Sequence, residues 1–351
     1  MHCFWTTLAI LALAATQVSA GGHREQGPPP EPLTPVPSTV SDEAQAYYRN
    51  WRPRPPGKLD MADSKQAAFM RKMLGRMFVR HVEAAGLAYA LEAAAAKAAQ
   101  AFWIRVPEVD PDGRRVLLYL HGGGYVLGSA RTNLVAPIRV SRAAKMPVIS
   151  VEYRLAPEHP FPAGLDDAFA IYRWLLDKGY EAASIGVFGD SAGGGLTMAL
   201  ALKIRDAGMP QPGALVAISP AVDLTGQGDT QATLVDADIV LGPPDPQQRK
   251  LYAGRTPLSD PLVSPVNADL TGLAPLLIQV GTRERLLSDS VRLARNARRD
   301  GVDVTLDVWE GMWHVWHEHP VLPEADDATA AIGTFFETHL VPVRVGQWSH
   351  R

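Results

Sequence analysis

Beyond about residue 100 the chain alternates short apolar runs with longer stretches whose apolar positions recur every three to four residues. The short runs are 116–120 (VLLYL), 148–151, 185–188, 214–218, 276–280 and 304–308. They are too short for ordinary helices and of β-type composition, which suits strands covered on both faces. Between them, 168–178, 192–207, 288–299 and 326–339 carry helical patterns. This alternation predicts an α/β fold with a mostly parallel central sheet and helices on both faces. No internal period of 20–50 residues is visible, which excludes a solenoid or propeller.

The first hundred residues read differently. From about 41 to 100 helix formers predominate, and Phe69, Met73, Met77 and Phe78 recur at helical spacing, predicting one buried stripe. Such a stripe packs a core or lines a pocket. The run 91–101 is so rich in alanine that it reads as helix. Upstream, 27–37 (GPPPEPLTPVP) holds six prolines and forms neither helix nor central strand, so 21–40 reads as an extended linker or N-terminal arm.

The apolar run 4–15 is too short to span a bilayer, and Val18-Ser19-Ala20 offers a signal-peptidase site before Gly21. Residues 1–20 therefore read as a signal peptide, although Met1-His2-Cys3 lacks the usual basic residue. Export to the periplasm or the medium as a soluble product is expected. A cytoplasmic location is the alternative if the run is no signal. The single cysteine, Cys3, rules out an internal disulfide and a cysteine-based zinc site. A formal charge of −3, from 34 Lys+Arg against 37 Asp+Glu, argues against nucleic acid or an anionic membrane as partner.

Gly189-Asp190-Ser191-Ala192-Gly193 directly follows one predicted strand and opens a predicted helix. In that context G-x-S-x-G is a nucleophile elbow: the glycines allow a sharp turn, and the helix N-terminus points N–H groups at developing negative charge. His121-Gly122-Gly123-Gly124 ends the 116–120 strand, and its glycines bare backbone N–H groups as an oxyanion hole requires. His121 itself reads as a shaper of that loop. A serine hydroxyl needs a base, here His314 just past the 304–308 strand. The base in turn needs an acid. Glu284 on the loop after 276–280 is favoured, with Asp289 and Asp303 as alternatives. The nearby His317 and His319 raise the question of a metal, but the segment lacks the paired histidines of a zinc helix. No metal or cofactor is expected. Trp313 and Trp316 suit an acyl pocket and a core equally.

Taken together these segments resemble the hormone-sensitive-lipase-like family of α/β-hydrolase esterases. The resemblance rests on HGGG (121–124), YRLAPEHPFPA (153–163), GDSAGG (189–194), SPAVDLT (219–225), DPLVSP (260–265), GTRERLLSDS (281–290) and GMWHVWH (311–317). It implies Ser191 as nucleophile, His314 as base, and an oxyanion hole from the N–H groups of Gly123, Gly124 and Ala192. It also implies a helical cap from 41–95 and from an insertion at about 222–260, set against a catalytic domain of 96–351. Arg154 and Glu158 would brace the oxyanion loop. Many members carry aspartate where Glu284 stands, which keeps Asp289 in play.

The activity expected from this reading is hydrolysis of short- to medium-chain esters of small molecules. The same residues would serve an amidase, a lactonase or a sugar acetyl-esterase, since specificity lies in the cap and pocket. A non-catalytic receptor on this fold would lack the histidine. A lipase would show a sizeable apolar surface. An edge strand or the last helix offers a contact for a homodimer.

Overall fold

The computed structural model describes residues 34–51, 60–111 and 114–341. The expected signal peptide, and the prolines before residue 34, lie outside the described residues. In chain order the elements are α1 (Asp42–Asn50), α2 (Ser64–Ala84), β1 (Ala90–Ala93), β2 (Ala101–Arg105), β3 (Val116–Leu120), α3 (Val135–Ala144) and β4 (Val148–Val151). Next come α4 (Ala163–Asp177), β5 (Ile185–Asp190), α5 (Ala192–Asp206), β6 (Ala214–Ile218), α6 (Thr230–Thr233) and α7 (Pro246–Ala253). The chain continues through β7 (Leu276–Gly281), α8 (Leu287–Arg299), β8 (Val304–Trp309) and α9 (Pro323–His339).

The strands form one sheet of eight in the order β1-β2-β4-β3-β5-β6-β7-β8. The six strands from β3 to β8 pair in parallel. β1 and β2 add an antiparallel edge. Every residue of β3 is buried, because its two faces meet different cores. Leu118 and Leu120 pack with Val187, Ala217 and Ile278 beneath α4, α5 and α8. Leu117 and Tyr119 pack with Phe188, Val216 and Leu277 against α3 and α9. Burial on both faces explains why these strands read as unbroken apolar runs.

Three expectations are corrected. The alanine-rich stretch 91–101 is no helix: Ala90–Ala93 is a strand paired with Phe102–Arg105. Alanine's advantage in a helix is only tenths of a kcal/mol per residue over most others, so a ladder partner outweighs it over so short a run. The helical segment placed at 41–95 therefore ends at Ala84, and its last residues belong to the sheet. The stripe on α2 is also shifted. Phe69 and Met73 are exposed, whereas Ala67, Met70 and Leu74 are buried under Val126, Leu127 and Ala156. A period of 3.6 carries the buried line from Leu74 towards Phe78 and away from Met73.

The arm before α1 lies along the body over residues 34–41. Arg283 donates to Pro35 O at 2.5 Å and to Thr34 Oγ1. Ser41 N–H and Oγ reach the carboxylate of Glu324 at 2.7 and 2.8 Å. Among the described residues no helix is long and apolar enough to cross a membrane.

Candidate active site

The sequence turns sharply where β5 meets α5. Ser191 sits there with φ 53° and ψ −118°, a conformation that residues with side chains rarely adopt. The flanking glycines leave room for it. A Cβ on Gly193 would lie 1.9 Å from Leu120 O, and one on Gly189 would lie 2.4 Å from Gly193 O. The strain is held by the surrounding ladder: Ser191 N–H donates to Ile218 O at 2.8 Å, and Ser191 O accepts from Ala221 N at 2.9 Å.

The loops after β7 and β8 bring the other two groups to this turn. Ser191 Oγ lies 2.9 Å from His314 Nε2, and His314 Nδ1 lies 2.8 Å from Glu284 Oε2. With Nδ1–H donating to the carboxylate, Nε2 is left to accept the serine proton. Glu284 is wholly buried and its other oxygen accepts from Gly281 N at 2.6 Å and Ser219 Oγ at 2.9 Å. The two loops are tied together: Thr282 N–H donates to Trp309 O and Arg283 N–H to Met312 O. Burial opposes charge on His314, but the hydrogen bond and charge of Glu284, with the charges of Asp238 and Asp190, outweigh it and raise its pKa.

Asp289 takes no part in this line. Its carboxylate accepts from Val222 N at 3.3 Å and Asp223 N at 3.0 Å, and burial lifts its pKa to about 7. Asp303 is exposed at the opposite end of β8. His317 Nε2–H donates to Gln279 Oε1 at 2.8 Å, while His319 Nδ1 accepts from Val321 N. Among the described residues no cluster of three or more His, Cys, Asp or Glu is arranged to hold a metal ion. Trp313 and Trp316 are core residues. Trp313 stacks on Tyr47 of α1 at 4.6 Å, and Trp316 packs with Leu322 and Ala325.

The glycine loop 121–124 is anchored from below. Asp190, the variable residue of the elbow, accepts from Gly122 N at 3.0 Å and from Tyr119 Oη at 2.5 Å. Gly122's amide is thereby occupied, while Gly123 and Gly124 border the same cavity as Ser191 and His314. Ala192 is the first residue of α5. Tyr153 Oη donates to His121 O at 2.6 Å, and its ring stacks on the His121 imidazole at 4.2 Å. Burial holds His121 neutral, with a pKa of about 4, and its Nδ1–H donates to Gly122 O at 2.7 Å.

The brace expected from Arg154 is absent. Its guanidinium forks onto Asp167 of α4 at 2.9 Å and so cannot reach the loop. Glu158 acts through another residue: it pairs with Arg71 of α2, whose remaining donors hold Val126 O at 2.8 Å and Ala156 O at 2.7 Å. Tyr119, Tyr153, Ser219 and Arg71 are thus supports that sequence reading missed. Only Tyr153, first residue of YRLAPEHPFPA, lies in a stretch already singled out for support.

Ser191 and His314 open into a cavity of about 230 Å³. Leu74, Met77 and Phe78 of α2 form one part of its wall, and residues 240–249 between β6 and β7 form another. Gln248 of α7 donates to Gly124 O at 3.3 Å, joining that insertion to the glycine loop.

A model of the α/β-hydrolase fold family matches residues 117–318. An acetyl-hydrolase of Streptomyces hygroscopicus is 43% identical over 238 residues, which cover 67% of this chain and 79% of that protein. An esterase of Acinetobacter venetianus is 34% identical over 224 residues, covering 63% of this chain and 74% of its own. An esterase structure from the bacterial hormone-sensitive lipase family matches with a TM-score of 0.72 at 39% identity, covering 77% of this chain and 92% of that one. A hormone-sensitive lipase from a metagenome library gives a TM-score of 0.73 at 36% identity, covering 78% and 92%. The chain belongs to the α/β-hydrolase family and, within it, to the hormone-sensitive-lipase-like esterases.

Proposed function

We propose that this protein is a serine carboxylesterase of small esters with short- to medium-length acyl chains, acting through Ser191, His314 and Glu284. The observation that carries this reading is the 2.9 Å approach of Ser191 Oγ to His314 Nε2, with the opposite ring nitrogen 2.8 Å from Glu284. His314 takes the hydroxyl proton as Ser191 Oγ attacks the ester carbonyl carbon. The oxyanion is met by the N–H groups of Gly123, Gly124 and Ala192. As the tetrahedral intermediate collapses, His314 returns the proton to the departing alcohol and an acyl-serine remains. Water then repeats the sequence and releases the acid. Glu284 stabilises the imidazolium formed in both steps without itself being protonated.

A cavity of about 230 Å³ supports a small acyl group, as does the similarity to an acetyl-hydrolase. The apolar run 4–15 with Val18-Ser19-Ala20 supports export after cleavage before Gly21, which the mass of the mature protein would test. The activity is tested with p-nitrophenyl esters graded from acetate to palmitate, beside folded Ser191→Ala and His314→Ala. Turnover on the short members, lost in both variants, is expected. Wild-type turnover by Ser191→Ala would overturn the mechanism.

A further inference from the structure

Two guanidinium groups border the same cavity as Ser191 and His314, and both meet only neutral oxygens. Arg285 follows Glu284 directly and is 5% exposed. Its Nη2 donates to Gln231 Oε1 at 2.7 Å and its Nη1 to Gly242 O, while its buried Nε has no partner. Arg249 of α7 donates through Nη2 to that same Gln231 Oε1 at 2.9 Å, and reaches Leu224 O at 3.5 Å. One amide oxygen therefore receives two cations. Among the described residues no carboxylate oxygen lies within 4.0 Å of a nitrogen of either guanidinium.

The carboxylates nearby are committed to other donors. Asp223 pairs with Arg292. Asp289 takes the N–H groups of Val222 and Asp223 and the side-chain amide of Gln231. Asp238 takes the backbone N–H of Arg285 at 2.8 Å, and those of Val240 and Leu241. Gln231 is thus fixed from behind, with its oxygen turned to the arginines. Burial disfavours charge on Arg285, and Asp238 and Asp289 oppose that only through space. A cation withdrawn from water with no carboxylate in contact is costly. A planar anion set between the two forks would supply that contact and match their geometry.

We propose that Arg249 and Arg285 form a carboxylate-binding subsite, so that the substrate is an ester bearing a free carboxylate away from the scissile bond, as in a half-ester of a dicarboxylic acid. The proposal rests on the esterase reading given above and narrows its substrate class. The two cations and the reacting pair share one cavity, so a single small molecule can span them.

The test compares kcat/KM within matched pairs of esters, after subtraction of spontaneous hydrolysis. Mono-4-nitrophenyl glutarate is set against 4-nitrophenyl butyrate for a carboxylate on the acyl side. 4-Acetoxybenzoate is set against phenyl acetate for one on the alcohol side. In at least one pair the anionic member is expected to lead by about tenfold or more, the scale of a charge-assisted hydrogen bond. Arg249→Gln should abolish that lead, and Arg249→Lys should keep part of it, an outcome that a purely structural arginine would not produce. Arg285→Gln is the second variant, and if it does not fold Arg249→Gln still decides. Equal rates or a neutral preference in both pairs would overturn the subsite. Failure to cleave any of the four esters would instead sink the esterase reading. Glutarate binding to Ser191→Ala, followed by calorimetry in the presence and absence of Arg249→Gln, then reads the subsite without turnover: binding lost with the arginine supports it, and no binding overturns it.

Discussion

Ser219 joins the two loops that hold the acid and the base. Its hydroxyl donates to Glu284 Oε1 at 2.9 Å and accepts from Val315 N at 3.2 Å, immediately after His314. The residue is wholly buried and has φ 44°, so the backbone aims the hydroxyl from a conformation uncommon for a serine. Ser219→Ala leaves Glu284 Oε1 one donor, Gly281 N–H, beside the His314 bond to Oε2, and loosens the carboxylate's orientation. The expected result is a kcat about tenfold lower with KM little changed, since a small misplacement of the base is costly in the transition state. Steady-state kinetics on a short p-nitrophenyl ester, with the melting temperature as a check on folding, read the outcome. An unchanged kcat would mean that the hydroxyl does not position the acid.

The state of His314 sets the acid limb of the rate. Only its neutral form accepts a proton, and its pKa is raised, so kcat/KM should rise with pH through a midpoint above the ordinary 6.5. Burial alone would push that midpoint below 6.5; Glu284 is the main influence in the other direction. Glu284→Gln should therefore move the limb downward while lowering kcat by about 10²- to 10⁴-fold. Asp238→Asn, which removes a charge without touching Ser191 or His314, should move it the same way by less. A limb that stayed in place in both variants would assign it to another group.

Five of the six parallel strands, β3 to β7, were legible because strands covered on both faces leave unbroken apolar runs, whereas β8 at the far edge is partly exposed. The antiparallel edge was not. β1 reads ALEA and is largely exposed, so its identity depends on ladder bonds to β2 that leave no local trace. α3 escaped notice for a related reason. Its buried Arg139 donates to the carbonyls of His317, His319 and Pro320, so a charged residue occupies a core position. In the site, the motifs pointed to Ser191 and His314, but spacing left three carboxylates, Glu284, Asp289 and Asp303, for the third place. What separates them is tertiary: Asp289 faces the amides of Val222 and Asp223, on the far side of α6, α7 and β7 in sequence, and Asp303 lies at the opposite end of β8 from His314.

Asp190 links the elbow to the glycine loop, and Tyr119 is its strongest donor. Burial raises the Asp190 pKa, and the Tyr119 hydroxyl opposes that rise. Tyr119→Phe removes a buried hydrogen bond and leaves the carboxyl with fewer donors, at a cost of about 1–3 kcal/mol. The same change loosens Gly122, and with it the amides of Gly123 and Gly124. Denaturant melts should show the lower stability, and kcat should fall with it. Full stability and full activity in Tyr119→Phe would remove Asp190 from the support of the loop.

Asp289 gives the fold a stability that depends on pH. Burial, with the charge of Asp223 adding to it, raises its folded pKa to about 7, against about 4 in an unfolded chain. The folded state therefore holds the proton more tightly. Its contribution is complete below about pH 4 and is lost as pH rises through 7. Asp289→Asn keeps an acceptor for the two amides but cannot ionise. Between pH 5.5 and 8 the wild type should lose about 2 °C or more of melting temperature relative to the variant. Parallel curves for the two proteins would show that Asp289 is ionised throughout.

The chain length accepted should be set by the end of α2. Met77 and Phe78 are half-buried against the cavity, with Leu74 one turn behind them. Each further methylene buried by a substrate is worth about 0.8 kcal/mol, or about fourfold in kcat/KM. A wall that stops the chain early forfeits that factor for each added carbon. Phe78→Ala and Met77→Ala should therefore raise kcat/KM for the octanoate ester over the acetate ester by about tenfold or more, through two or three newly accommodated methylenes. Phe69→Ala is the control, because Phe69 is 59% exposed on the same helix and does not border the cavity. Should the profile shift as much in Phe69→Ala as in Phe78→Ala, the selectivity would come from the stability of α2 and not from its wall.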